Sequence, residues 1–211
     1  MLIDDGGIRQ PLFIELPPRG QRRGDAVDRL LAGFAREPTG IGIALLELGE
    51  DEKLATVLAV ESFEPGRNII MATRDGLVKK TDIMAYSRPR AGGIIAIDLV
   101  PGDELIAVRI TDGTRNVFLV SAQGKAIRFH EADVRAVGRV SRGVRGLRLA
   151  SGDRIVGMEV LTHGQTLFVV TENGYGKRTA VEAYPVQRRG GKGVITVKTS
   201  QRNGLVVGIA L

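Results

Sequence analysis

The 211-residue chain has no cysteine and no tryptophan. Without thiols it can build neither a disulfide framework nor a thiolate zinc centre, which fits a reducing cytoplasm. Aromatic residues are only 4% of the chain, so there is little with which to stack unpaired bases. Its two histidines, His130 and His163, stand in separate segments and read as surface or turn residues, not metal ligands. No apolar run approaches the ~20 residues needed to cross a bilayer. Met1 to Gln10 lacks the basic start and apolar run of a signal peptide. No glycine-rich loop ends in Gly-Lys-Ser/Thr after a strand, and nothing resembles a Ser-His-Asp constellation. The expectation is a cytoplasmic, non-catalytic chain with no metal, no cofactor, no membrane and no small-molecule substrate.

What the chain does have is aliphatic and glycine-rich. Hydrophobic residues make up 43%, mostly Val, Ile, Leu and Ala, and 28 glycines interrupt them. Short strands with many turns give that composition. The net charge of +6 is unevenly spread. Residues 1–67 carry 8 basic and 12 acidic side chains, whereas residues 116–165 carry 8 and 4, and residues 166–211 carry 7 and 2. A basic carboxy-terminal half points to a polyanionic partner, nucleic acid first among them.

Internal repetition decides the architecture. Three segments align: Asn68-Ile69-Ile70-Met71-Ala72-Thr73-Arg74-Asp75-Gly76, Asn116-Val117-Phe118-Leu119-Val120-Ser121-Ala122-Gln123-Gly124, and Thr166-Leu167-Phe168-Val169-Val170-Thr171-Glu172-Asn173-Gly174. An apolar run closed by Asp-Gly or Asn-Gly predicts a tight hairpin. A basic second strand follows each turn, then an Arg-rich connection. Third strands are expected at residues 93–97, 143–147 and 193–197. Fourth strands are expected at Leu105 to Ile110, Ile155 to Val160 and Leu205 to Ile209. Asp103 and Asp153 read as turn formers, where Asp is locally favoured. Four short strands per ~50 residues form blades that stack on their neighbours because one blade cannot bury both faces alone.

The predicted fold is therefore all-β, propeller-like, with about four four-stranded blades. Three lie at about residues 67–115, 116–165 and 166–211 in one continuous domain. Residues 1–66 form a degenerate amino-terminal blade region. Within it, 41–46 resembles a third strand, 51–58 resembles a turn and fourth strand, and 25–35 fits a short helix or a strand equally well.

The sharpest local feature is Gln187-Arg188-Arg189-Gly190-Gly191-Lys192-Gly193. Glycines let a backbone approach a phosphate closely, arginine forks match its oxygens, and lysine adds a point charge. Arg188, Arg189 and Lys192 are the expected main phosphate contacts. The same place in the second repeat holds Arg139, Arg142 and Arg145, and in the first Arg88 and Arg90. The second-strand pairs Lys79-Lys80 and Lys177-Arg178 extend the set. A repeated blade places such loops at equal intervals, so the cations form a track. That track suits sequence-tolerant binding and bending of duplex DNA through its backbone. The alternative is a protein-interaction propeller whose basic rim meets an acidic partner. Tyr86 and Tyr184 occupy related places before the basic loop, which suggests packing or phosphate contact.

Met71-Ala72-Thr73 through Lys79-Lys80-Thr81, Gly102-Asp103-Glu104-Leu105-Ile106, Gly143-Val144-Arg145-Gly146, and Glu172-Asn173-Gly174-Tyr175-Gly176-Lys177-Arg178-Thr179 resemble successive blades of the carboxy-terminal domain of the DNA gyrase A protein. The resemblance runs from about Glu61 to Leu211. It implies a β-pinwheel whose blades exchange strands, and a basic rim that wraps DNA in support of supercoiling by a type II topoisomerase in the bacterial cytoplasm, at the nucleoid. ATP hydrolysis and DNA cleavage would belong to other domains or subunits, which are the implied protein partners. The family's box, Gln-Arg-Arg-Gly-Gly-Lys-Gly, belongs to its first blade. Here Gln21-Arg22-Arg23-Gly24-Asp25 begins like it and departs, while the full string stands at Gln187 to Gly193.

Overall fold

Runs such as Ile69-Ile70-Met71-Ala72 place apolar side chains at consecutive positions, so both faces of the strand must be covered. The computed structural model describes residues 2–4, 7–13, 57–60, 62–88 and 94–211. They divide into two compact units, Met1–Phe63 with Arg88–Ala96, and Glu64–Ser87 with Ile97–Leu211.

In the first unit, β1 (Leu2–Asp4), β2 (Gly7–Phe13) and β3 (Val57–Val60) make an antiparallel sheet in that order. Gln10 is in register with Val60, and Ile3 with Ile8. The sequence readings at 21–25, 25–35 and 41–46 lie outside the described residues.

The second unit holds the three repeats. The first contributes β4 (Asn68–Thr73), β5 (Leu77–Asp82) and β6 (Leu105–Thr111). The second contributes β7 (Asn116–Ser121), β8 (Lys125–His130), β9 (Val144–Arg145) and β10 (Ile155–Leu161). The third contributes β11 (Thr166–Thr171), β12 (Gly176–Ala180), β13 (Val194–Ile195) and β14 (Val206–Ala210). Their sheets run β6-β4-β5-β9, β10-β7-β8-β13 and β12-β11-β14.

The third strands do not join the sheets of their own repeats. β9 pairs with β5 of the preceding repeat, and β13 with β8. Both are two residues long, because each ladder ends on a turn carbonyl. The amides of Gly146 and Leu147 both donate to Gly76 O, and those of Thr196 and Val197 both donate to Gly124 O. Residues 94–100, which include most of the expected first-repeat strand, have no strand geometry.

Those turn glycines meet two demands. Gly76 and Gly124 have φ of 87° and 78°, a left-handed conformation that side chains resist. A Cβ at Gly76 would also stand 2.9 Å from Leu147 O, and one at Gly124 would overlap Val197 O. In each hairpin the glycine amide bonds back to the last strand residue, Thr73, Ser121 or Thr171, at 2.9–3.1 Å. Asp103 and Asp153 act as expected of turn formers. Asp103 Oδ1 accepts the amides of Asp75 and Glu104, and Asp153 Oδ1 accepts those of Gln123 and Arg154.

Strand alternation divides the core between neighbours. Val117 and Leu119 of β7 pack with Ile70, Ala72 and Val78 of the first repeat. Phe118 and Val120, on the opposite face, pack with Leu167, Val169, Val181 and Tyr184 of the third. Phe118 and Tyr184 meet edge to face, with centroids 4.7 Å apart. Tyr86 and Tyr184 are both buried, so both are packing residues. A polar tie accompanies the first apolar layer. Glu131, fully buried, accepts the Thr111 hydroxyl and the Arg115 amide, and stands 3.6 Å from Lys80 Nζ.

Candidate nucleic-acid interface

The basic connections of the second and third repeats begin and end against the second strand of the preceding repeat. Ala136 bridges Lys80 in parallel, and Val137 N–H donates to Lys80 O at 2.9 Å. One repeat later, Val186 bridges Arg128, and Gln187 N–H donates to Arg128 O at 2.7 Å. The chain then bows outward and returns as β9 or β13. Glycine is needed at both returns. A Cβ at Gly143 would stand 2.7 Å from Val78 O, and one at Gly193 (φ 66°) would overlap Ala126 O. The loops at 138–143 and 188–193 are thus raised on the outer sheet edge. The opposite edge holds β6, β10 and β14, where β10 touches both of the others.

What lies beneath the two loops differs. Under the first is Lys79, 1% exposed, whose ammonium donates to Arg139 O. Burial, and after it the nearby Arg139 guanidinium, lowers its pKa from 10.5 to about 8. Under the second is the corresponding Ile127, whose Cδ1 would be 3.5 Å from a Cβ at Gly191.

This geometry corrects the reading of Lys79 and Lys80 as phosphate contacts. Both are buried. Lys80 Nζ donates to Glu131 O at 2.8 Å and faces the Glu131 carboxylate. Arg128, its counterpart in the second repeat, donates to Val181 O and Tyr184 O. The basic second-strand signature is thus an inter-repeat tie in the first two repeats. In the third, Lys177 and Arg178 are exposed on β12, and Lys177 Nζ donates to Thr196 O at 3.4 Å.

The remaining expected cations divide by their partners. Arg188, Lys192 and Arg145 are exposed, and none has a carboxylate partner among the described residues. Arg142 is held by Asp98 at 2.7 Å, which neutralises part of its field. Arg139 and Gln187 are half-buried at the loop bases. Arg189 is also half-buried. Its Nε donates to Asp133 O at 2.7 Å and its Nη1 to Arg145 O at 3.3 Å. Arg88 is exposed in the first unit, and Arg90 lies outside the described residues.

The loop at 187–193 is fastened to the returning strand of the previous repeat. Gly190 N–H donates to Gly146 O at 2.6 Å, and Arg148 N–H donates to Gly191 O at 2.8 Å. Gly190 has φ of 77°, and a Cβ there would be 3.3 Å from Arg145 O. These bonds bring Arg145 and Arg148 beside the Gln187 to Gly193 loop. Sequence reasoning passed over Arg148, and with it the exposed Arg135. Arg148 stands two residues beyond the Gly143-Val144-Arg145-Gly146 motif, on the segment that crosses over, and that crossing was the available signal. The result is a band of guanidinium and ammonium groups on one sheet edge. Guanidinium forks and ammonium charges of this kind have the chemistry to meet phosphate oxygens.

Comparison with known proteins agrees with the repeat. The family model described as DNA gyrase C-terminal domain, beta-propeller, matches residues 67–112, 115–162 and 165–211. The gyrase A protein of Salmonella typhimurium is 48% identical over 166 residues, which span 79% of this chain and 19% of that protein. The chain thus spans about a fifth of the length of the curated relatives it matches. The crystal structure of the C-terminal domain of DNA topoisomerase IV superposes with a TM-score of 0.73 at 28% identity, over 79% of this chain and 53% of that one. A DNA gyrase A C-terminal domain superposes with a TM-score of 0.70 at 27% identity, over 78% and 55%.

Proposed function

The chain belongs to the DNA gyrase C-terminal domain family, and from that membership we propose that it binds duplex DNA by its phosphate backbone and bends or wraps it for a type II topoisomerase. In this reading it supplies no catalytic group. Cleavage and ATP hydrolysis come from other domains or subunits, and the setting is the bacterial cytoplasm, at the nucleoid. Residues 67–211 act as one continuous three-blade domain, and residues 1–66 as a degenerate blade region.

One observation carries the reading. The Gln187 to Gly193 loop and the β9 return segment are hydrogen-bonded into one cationic edge. Arg188, Lys192, Arg145 and Arg148 stand there exposed, with no carboxylate partner among the described residues. Several phosphates can be met together on such an edge. Bending 20–30 base pairs by 40–90° costs roughly 1–6 kcal/mol, which counterion release at several contacts can offset. Backbone contacts of this kind position the duplex without reading its sequence.

The test is ligation of nicked circular DNA with increasing protein, followed by deproteinisation and topoisomer counting. The expected result is a shift of one sign, proportional to bound protein. Failure to bind duplex DNA at low salt overturns the proposal and favours an acidic protein partner for the same edge.

A further inference from the structure

We propose that Arg189 is a positioning residue, a brace between successive repeats, and not a phosphate ligand. This inference rests on the DNA-binding reading of the same edge.

Arg189 sits among exposed cations, and the sequence gives it the same role as Arg188. The geometry separates them. Two of its guanidinium nitrogens donate to carbonyls of the preceding repeat, Nε to Asp133 O and Nη1 to Arg145 O. Asp133 ends the short 3-10 turn at Glu131–Asp133, and Arg145 ends β9. One rigid fork therefore spans two segments of the second repeat from a loop of the third. Just beyond the Arg145 contact, the Gly190 amide reaches Gly146 O and the Arg148 amide reaches Gly191 O. These bonds fix the offset between the pair Arg188 and Lys192 and the pair Arg145 and Arg148. Phosphates recur at set intervals along a duplex, so that offset decides whether both pairs can be met at once and in which direction the path turns. Arg188 is exposed and has no such carbonyl partner among the described residues.

The experiment compares R189A, R189K and R188A with the parent chain in three measurements. The first is amide hydrogen exchange on the protein alone. The second is the salt dependence of duplex affinity. The third is the topoisomer shift per bound protein. Lysine keeps the charge and removes the fork. In R189K, exchange at Gly190 and Arg148 is expected to rise about tenfold or more, with Thr196 unchanged. The salt slope is expected to stay at the parent value while the topoisomer shift falls severalfold. R188A is expected to lower the slope by about 0.9, one phosphate's worth, with exchange unchanged. A slope that falls in R189A and is restored in R189K, with parent-like exchange, overturns the proposal. Accelerated exchange in R189K with a full topoisomer shift overturns it too. If the parent chain binds no DNA, the functional reading fails, and exchange alone decides whether Arg189 is a brace.

Discussion

Lys79 should make the fold more stable in mildly alkaline solution. Burial and the Arg139 charge hold its pKa at about 8, against 10.5 in the unfolded chain. Below about pH 8 both states carry the proton, and the fold bears the full cost of a buried charge. Between about pH 8 and 10.5 the folded chain has released the proton and the unfolded chain has not, so stability rises with pH. Above that window both states are neutral and the rise ends. The whole effect is worth about 3 kcal/mol, of which about 2 kcal/mol falls between about pH 7 and pH 9.5. Other lysines titrate in the same range, so the measurement is a difference. Urea unfolding of the parent and of K79M is followed across the window, and the two free-energy curves are subtracted. The parent should gain on the variant by the stated amount. Curves that stay parallel, or a difference that shrinks as pH rises, would refute the argument that this ammonium is buried and charged at neutral pH.

Three further outcomes are expected. Glu131→Ala leaves Lys80 buried without its carboxylate and should cost about 3–5 kcal/mol in chemical denaturation. Gly124→Ala forces a left-handed alanine, at roughly 1–2 kcal/mol, and drives a methyl into Val197 O. Its total loss should exceed that of Gly164→Ala, where φ is 81° and the space is open. Combined R188A and K192A should lower the salt slope of duplex binding by about 1.8, whereas K79M should leave it unchanged, as measured by fluorescence anisotropy across a salt series.

The period, the hairpins and the fourth strands were legible in the sequence because they are local. The Asp-Gly and Asn-Gly turns, and apolar runs such as Val117 to Val120, declare themselves within a few residues. The destination of the third strand was not legible from local pattern. Gly143-Val144-Arg145 reads the same whether it pairs with its own repeat or with the preceding one, and only the family resemblance implied exchange. The basic pairs were misread for the same reason. Lys79-Lys80 and Lys177-Arg178 look alike as strings, yet the first pair is buried against the following repeat and the second is exposed. Arg189 shows the reverse case. It lies inside the strongest phosphate-binding string, and its guanidinium is engaged by carbonyls 44 and 56 residues earlier in the chain.

Strand donation also sets a schedule for synthesis. The sheet built on β5 is completed by β9, about 60 residues downstream, so at roughly 5–20 residues per second the ribosome leaves that edge waiting for some 3–12 s. A waiting strand edge is a template for pairing with the wrong chain, and charge on the edge is a recognised deterrent. β5 carries Lys79 and Lys80 through that interval. In the completed fold both ammoniums are enclosed by groups of the next repeat, Lys79 by Arg139 O and Lys80 by the Glu131 carbonyl and carboxylate.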